Sequence, residues 1–173
     1  MPRFRSLKLA CLLATALTGI GSPAGAQPAS ATTFALRFMT PETALKAAQA
    51  ALSHCRAQGY QVAVAVVDRA GLTQVLLRDR FAGAHTVDVA TNKAWTAASF
   101  RTPTADLARE TQPGQAMSGL RNLPRFLAAG GGQVIEGGGT LLGAIGVSGA
   151  PGGEADDGCA KAGIKAIADD IAF

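Results

Sequence analysis

The pattern of apolar and polar positions predicts a helix, a hairpin and a second helix in the first half of the chain. Thr40-Pro41-Glu42 has the composition of a helix start, with Thr as N-cap, Pro in the first turn and an acid near the helix dipole. Gly59 ends this helix. Residues 60–78 predict a hairpin because two apolar runs flank the turn sequence Asp68-Arg69-Ala70-Gly71. From Thr86 to Phe100, small apolar residues at helical spacing predict the second helix.

The second half of the chain predicts another hairpin and a C-terminal helix. Glycine triplets at 130–132 and 137–139 flank a short strand at 133–136, and Thr140 to Ser148 predicts the partner strand. The last helix begins near Asp156, where acids suit the helix dipole. Because hairpins join antiparallel strands, this order predicts an α+β fold, or mixed α/β in looser usage. The fold would be an antiparallel sheet of two hairpins with flanking helices.

One face of the last predicted strand consists of unusually small residues. Alternation places Leu141, Gly143, Ile145 and Val147 on one face and Leu142, Ala144, Gly146 and Ser148 on the other. Ala63 and Ala65 likewise share a face of the first strand, so the sheet could offer a shallow floor to a flat ligand. A closely packed helix is the simpler explanation and the one that the strand pattern favours.

The first 26 residues have the order of a cleavable secretory signal peptide. Three basic residues precede an uncharged apolar run from Leu9 to Ile20, and Ala24-Gly25-Ala26 supplies a cleavage site. The apolar run is shorter than the roughly 20 residues that a membrane anchor needs. We therefore predict export to the periplasm or the extracellular space.

The charge of the chain argues against nucleic acid as a partner. The whole chain has 16 basic and 12 acidic residues, but three of the basic residues belong to the signal segment. The mature chain is therefore nearly balanced, and it contains no basic run interleaved with aromatic residues that would indicate nucleic-acid binding. We predict a flexible leader at residues 27–38 and one domain at residues 39–173, with no membrane span in the mature chain.

The two cysteines of the mature chain, Cys55 and Cys159, have two interpretations. An oxidising compartment would let them pair if the fold brings them together. Cys55 also falls on the apolar stripe of the first helix, so burial as a small hydrophobic residue explains it equally well. The sequence leaves both interpretations open.

Histidine is a candidate ligand for a metal ion or a haem iron, and the chain has few of them. His54 and His85 are the only two, so a metal cage of several imidazoles is impossible within one chain. A haem needs only one axial protein ligand, and His85 suits that role because it lies in a Gly-containing loop just before a helix. An ordinary surface position is the more common explanation for either histidine. The glycine triplets lack a phosphate-loop pattern and are expected at turns and bulges.

Three charged residues lie next to the most distinctive local patterns. Lys93 lies on the second helix among mostly uncharged exposed positions, and Glu154 and Asp156 follow the glycine-rich loop 148–153. In one interpretation Lys93 attracts the carboxylate of a small organic acid while Glu154 or Asp156 handles protons. In the other, Lys93 is a solvated helix charge and the two acids stabilise a helix N-terminus.

Several motifs, in their order along the chain, resemble the GlcG/HbpS family of haem-binding proteins, also called the haem-degrading domain family. The motifs are Asp68-x-x-Gly71, Lys93-Ala94-x-Thr96-Ala97, and Gly143-Ala144-Ile145-Gly146-Val147-Ser148-Gly149 followed by Glu154-x-Asp156. The likeness runs from about Thr40 to Ile171. Its most specific part is the last motif, which continues into Cys159-Ala160-Lys161-Ala162-Gly163.

The resemblance implies an antiparallel sheet flanked by helices, homo-oligomers, haem or iron binding and, for some exported members, a membrane sensor partner. We therefore expect an exported protein that sequesters, delivers or senses haem without turnover; haem degradation is implied by the resemblance alone. A small organic-acid-binding protein or enzyme, and a scaffold or sensor partner, are the alternatives. The residues expected at the site are His85, Lys93, Phe100, Gly146, Ser148, Glu154 and Asp156. His85 as axial haem ligand is inferred from this sequence and is not a family motif residue.

Overall fold

A computed structural model describes residues 32–173, and the predicted α+β fold is confirmed. The elements in chain order are α1 (Pro41–Ala57), β1 (Ala63–Asp68), β2 (Thr73–Arg78), α2 (Thr86–Phe100), α3 (Thr104–Glu110), β3 (Gly132–Gly137), β4 (Thr140–Ser148) and α4 (Gly153–Ala166), with short 3-10 helices at Ser118–Asn122 and Asp169–Ile171. The sheet order is β2-β1-β4-β3, and every neighbouring pair is antiparallel. Two hairpins therefore meet through their β1 and β4 strands.

The predicted signal peptide, residues 1–26, lies outside the described residues. Of the predicted leader, residues 32–38 are described; they are exposed and belong to no helix or strand. All of the elements belong to one unit, Ala35–Phe173. Within the described part of the chain, no helix has the length and apolar character that crossing a bilayer requires.

The larger core lies between one face of the sheet and the helices α1 and α4. Helix α1 begins as predicted, with the Thr40 hydroxyl accepting a 3.3 Å hydrogen bond from the Thr43 N–H. Its alanine stripe lets α4 approach closely, because a Cβ added at Gly163 would lie only 2.7 Å from the Ala47 carbonyl oxygen. Helix α4 begins at Gly153, one turn earlier than the start predicted near Asp156. The glycine N-cap, Gly152, gives no side-chain signal for that start.

Cys55 and Cys159 form a disulfide inside this core. Their Cα atoms are 5.5 Å apart, and 104 positions separate them in the sequence. The bond joins α1 to α4, so both interpretations of Cys55 hold together: the residue is buried on the apolar stripe and it is paired.

Helix α2 covers the opposite face of the sheet through small residues. Ala65 in β1 and Ala144 in β4 share a buried cluster with Ala90 and Ala94 of α2. The closest approach is at Gly146, where an added Cβ would overlap the Ala90 carbonyl oxygen and lie 2.6 Å from the Ala94 nitrogen. The small-residue face therefore seats a helix, and no flat ligand can lie on it.

The predicted alternation along β4 is wrong at Leu142. This residue belongs to the larger core together with Ile145, and not to the face of Ala144. The register between β3 and β4 shifts between Ile135 and Glu136, which leaves Leu142 without a partner on β3. An extra residue of this kind moves the side chain to the other face of the sheet, and the local sequence carries no signal for it.

Two buried threonines hold the long connection between α3 and β3 against α2 and α3. The Thr96 hydroxyl accepts a 3.0 Å hydrogen bond from the Leu127 N–H. The Thr104 hydroxyl donates to the Ala129 carbonyl at 2.6 Å and accepts from the Gly132 N–H at 2.8 Å. These bonds hold the first glycine triplet near the end of β4, where the candidate site lies.

Candidate functional site

A cleft of about 490 Å³ opens where β4 ends, between the N-termini of α2 and α4. Four segments line it: residues 59–61, the loop that enters α2, residues 148–153 and Asp156 on α4. The volume lies within the range of small-molecule sites in proteins, about 300–1,000 Å³. The topology creates the cleft, because the strand β4 ends between two helices that begin beside it.

The cleft brings together three of the seven residues expected at the site. His85, Ser148 and Asp156 line it. Glu154 is exposed and borders a neighbouring surface depression with Pro151. The glycine-rich loop therefore carries one of the two predicted acids into the cleft and leaves the other outside it.

Gly146 and Phe100 lie away from the cleft. Gly146 is covered by α2. Phe100 is the last residue of α2, a helix of 15 residues and thus about 22 Å long, whereas His85 precedes its first turn. The Phe100 ring packs edge-on against Phe126, with ring centroids 5.1 Å apart. The two ends of one straight helix cannot meet at one small site.

Lys93 and Asp156 form a buried ion pair directly below the cleft. Lys93 Nζ lies 2.7 Å from Asp156 Oδ2, and the two side chains are only 4% and 5% exposed. Lys93 also donates to the Val147 carbonyl at 2.9 Å, and Asp156 Oδ1 accepts from the Ala150 N–H at 3.0 Å. The pair therefore ties α2, the end of β4, the loop after it and α4 to one another.

The burial of this ion pair bears on both interpretations of Lys93. Burial raises the pKa of Asp156, and the hydrogen bond and charge of Lys93 oppose that rise. Lys93 is not a solvated helix charge, because it is buried against Asp156 and Val147. Of Lys93, Glu154 and Asp156, only Asp156 lines the cleft.

Asp157 holds the first glycine triplet beside the ion pair, a contact that was not expected from the sequence. Its Oδ1 accepts 2.7 Å hydrogen bonds from the Gly131 N–H and from Gln133 Nε2. Gly131 has φ +115°, and an added Cβ would lie 2.8 Å from Lys93 Nζ. The backbone of the first glycine triplet thus covers the ion pair at a distance that only glycine permits. The sequence signal that could have identified Asp157 is its place beside Asp156, near the start of a predicted helix.

His85 and Phe81 form the exposed wall of the cleft. His85 stands at the N-cap of α2 but makes no capping hydrogen bond, so its imidazole is free of that role. Gly83 makes room for the ring, because an added Cβ would lie 2.7 Å from His85 Cε1. Phe81 is 78% exposed, and the Arg80 guanidinium carbon lies 6.0 Å from its ring centroid. An imidazole beside an exposed aromatic ring suits a ligand that is both apolar and metal-containing.

Residues 32–173 contain no group of three or more His, Cys, Asp or Glu side chains placed to hold a metal ion.

Comparison with known proteins places the chain in a family. The family model described as haem degrading protein HbpS-like matches residues 39–165. An uncharacterized 15.0 kDa protein of Citrobacter freundii, from the dhaT-dhaS intergenic region, is 34% identical over 113 residues, which cover 64% of this chain and 80% of that protein.

Solved structures show the same fold. A double mutant of Streptomyces reticuli HbpS has 38% sequence identity and a TM-score of 0.73, with 83% of this chain and 97% of that chain covered. The structure of a PduOC:heme complex has 30% identity and a TM-score of 0.72, with 76% and 96% covered. The architecture, the ordered motifs and these matches agree: the chain belongs to the HbpS-like family of haem degrading proteins.

Proposed function

We propose that this protein binds haem in the cleft between the N-termini of α2 and α4, with His85 as the axial ligand. The observation that carries the proposal is the exposed His85 imidazole, which lines a cleft large enough for a small-molecule ligand and makes no capping bond. The likeness to a PduOC:heme complex supports the same ligand.

The residues of the cleft fit a haem in two respects. His85 offers a nitrogen ligand to iron, and the exposed Phe81 ring offers an apolar contact to the macrocycle. Tyr60 adds a second aromatic ring to the lining. When bound, the haem would supply the iron chemistry, while the protein would supply the ligand, the apolar contact and the shape of the cleft.

Binding without turnover is the form of the function that the cleft supports best. Asp156 is the carboxylate that lines the cleft, and both of its oxygens are engaged, one by Lys93 and one by the Ala150 N–H. A carboxylate held in this way is poorly placed to move protons to or from a ligand. We therefore propose sequestration, delivery or sensing of haem.

The proposal includes export. The signal-like segment at residues 1–26 supports it, and so does the Cys55–Cys159 disulfide, since such bonds persist in oxidising compartments. Mass spectrometry of the protein recovered outside the cytoplasm should give an N-terminus near Gln27. A full-length chain that stays in the cytoplasm would contradict export. Assembly into homo-oligomers and a membrane sensor partner stay predictions.

A haem titration followed in the Soret region tests the binding proposal. We expect saturation near one haem per subunit, and a loss of at least about tenfold in affinity in His85→Ala, because iron ligation is removed. His54→Ala is the matched control, since His54 is an exposed histidine on α1 outside the cleft. No saturable change, or equal affinity in His85→Ala, would contradict the proposal.

A further inference from the structure

We infer that the inner end of the cleft is a carboxylate-binding subsite, formed by the N-terminus of α4 together with the Ser148 hydroxyl. In the haem complex proposed above, this subsite would take the propionate edge of the haem. The identity of the ligand rests on that proposed function, whereas the subsite rests on the contacts described below.

Of the two helices that begin at the cleft, α4 offers it a free N–H group. Thr86 opens α2, a helix of 15 residues, and Gly153 opens α4, a helix of 14 residues; both line the cleft. Neither helix has a side-chain N-cap hydrogen bond, but the Thr86 N–H and hydroxyl already donate to the Gly83 carbonyl, at 3.1 and 2.7 Å, so the free first-turn N–H in the lining is that of Gly153. The first turn of a helix presents N–H groups without intrahelical acceptors and a partial positive charge, which together favour an anion.

Ser148 is a second and independent indication of a ligand. It is the last residue of β4, lines the cleft and is only 6% exposed. Its neighbours are engaged, since the Val147 carbonyl accepts from Lys93 and the Ala150 N–H donates to Asp156. The Ser148 hydroxyl itself makes no hydrogen bond to any other described residue. Ser148 Oγ is not one of the buried polar atoms that lack a partner, so it is open to the cleft, where a ligand oxygen can replace water as its hydrogen-bond partner.

Gln61 provides a further unsatisfied group in the same lining. Its side-chain oxygen is buried and has no hydrogen-bond partner within residues 32–173.

The charges around the cleft are compatible with an incoming anion. Asp156, the acid in the lining, is neutralised by Lys93 at 2.7 Å. The acids in the first turns of the two helices, Asp88 on α2 and Glu154 on α4, are exposed and do not line the cleft. An incoming carboxylate therefore meets N–H groups and a hydroxyl, with no unpaired anion beside them.

Two orientations of a haem are possible, and the structure favours one. The exposed Phe81 ring and His85 lie at the outer wall, while Ser148 lies at the buried end of β4. A haem has an apolar body and carries its two carboxylates on one edge, so this arrangement places that edge inward. The opposite orientation would bring the carboxylates to the rim, near Arg80 beside Phe81.

Titrations with haem and with haem dimethyl ester, whose propionates are uncharged, test the subsite. We expect the protein to bind haem about tenfold more tightly than the ester, because hydrogen bonds to a charged group are the stronger kind. Ser148→Ala should reduce this ratio to below about threefold, and Arg80→Ala should leave it unchanged. Ser148→Ala removes one oxygen atom, and thermal melting checks that the variant is folded.

Two results would overturn the subsite. One is equal affinity of the unmodified protein for haem and for its ester. The other is a ratio that is lost in Arg80→Ala and kept in Ser148→Ala, because it would place the propionates at the rim.

A titration with free propionate, followed by amide NMR shifts, separates this inference from the haem proposal. Shifts at the first-turn amides of α4 that disappear in Ser148→Ala would support the subsite even if no haem binds. Haem binding without ester discrimination and without these shifts would overturn the subsite and leave the haem proposal standing.

Discussion

Lys93 and Asp156 are 63 positions apart in the sequence, yet their side chains meet at 2.7 Å beneath the cleft. The first comes from the middle of α2 and the second from the first turns of α4. Their pairing explains why both motifs of the family resemblance contain a charge at a buried position. The pair holds the two helices whose N-termini form the cleft.

Removal of Lys93 should destabilise the fold strongly. Lys93→Met leaves the Asp156 carboxylate buried without its partner, which typically costs about 3–5 kcal/mol of unfolding free energy. The matched control is Lys46→Met, because Lys46 pairs with Asp170 at 2.8 Å, close to the 2.7 Å of the Lys93 pair, but on the surface, where an ion pair contributes about 0–1 kcal/mol. Urea unfolding of both variants measures the difference. Equal losses would show that burial of the Lys93 pair is unimportant.

Gly131→Ala should disturb the cover of the ion pair. Gly131 has φ +115°, and an added Cβ would lie 2.6 Å from the Val147 carbonyl oxygen and 2.8 Å from Lys93 Nζ. Gly114→Ala is the control, because Gly114 also has a positive φ, +87°, but has open space around it. We expect Gly131→Ala to lower stability by about 1–3 kcal/mol more than the control does, since overlap is added to backbone strain. Thermal melting checks this; melting temperatures that fall equally would contradict it.

Reduction of the Cys55–Cys159 disulfide should also destabilise the protein. The bond closes a loop across 104 positions, and removal of a native disulfide typically costs about 2–5 kcal/mol. Unfolding curves with and without reductant measure the loss. The double variant Cys55→Ala/Cys159→Ala is the control and should not respond to reductant. Identical curves for the parent protein under both conditions would contradict the prediction.

The ion pair between Arg56 and Asp79 should make stability depend on acid pH. Asp79 is 2% exposed, and its hydrogen bond from Arg56 Nε at 2.7 Å lowers the pKa of the carboxyl. A lowered carboxyl pKa contributes stability above the unfolded-state value of about 3.9, and the contribution is lost as pH falls through the folded-state pKa.

The comparison of the parent protein with Arg56→Met isolates this effect. The difference in unfolding free energy should be largest near neutral pH and should shrink as the pH falls below about 4. Urea unfolding between pH 7 and pH 2 measures it. A difference that stays constant across this range would show that Arg56 acts through packing alone.

Part of the candidate site could be predicted from local patterns. His85, Ser148 and Asp156 each lie next to a boundary between a loop and a regular element, and such boundaries gather in space where β4 ends. Phe100 lies away from the cleft because it belongs to the far end of the helix that His85 precedes. Gly146 lies under α2, and the sequence could not show this because a glycine that makes room for a ligand and one that makes room for a helix have the same sequence pattern.

The sequence by itself determined the two hairpins, the helices α1 and α2, the presence of α4 and the family. These follow from short-range physics: Thr40 caps its own helix, and the Asp68 carboxylate accepts hydrogen bonds from the Ala70 and Leu72 N–H groups in its own turn. Only the tertiary structure decided that α2 covers the small-residue face and that Lys93 is buried. Both depend on contacts between residues far apart in the chain. The apolar pattern of a helix shows which of its faces is buried, but not which element packs against that face.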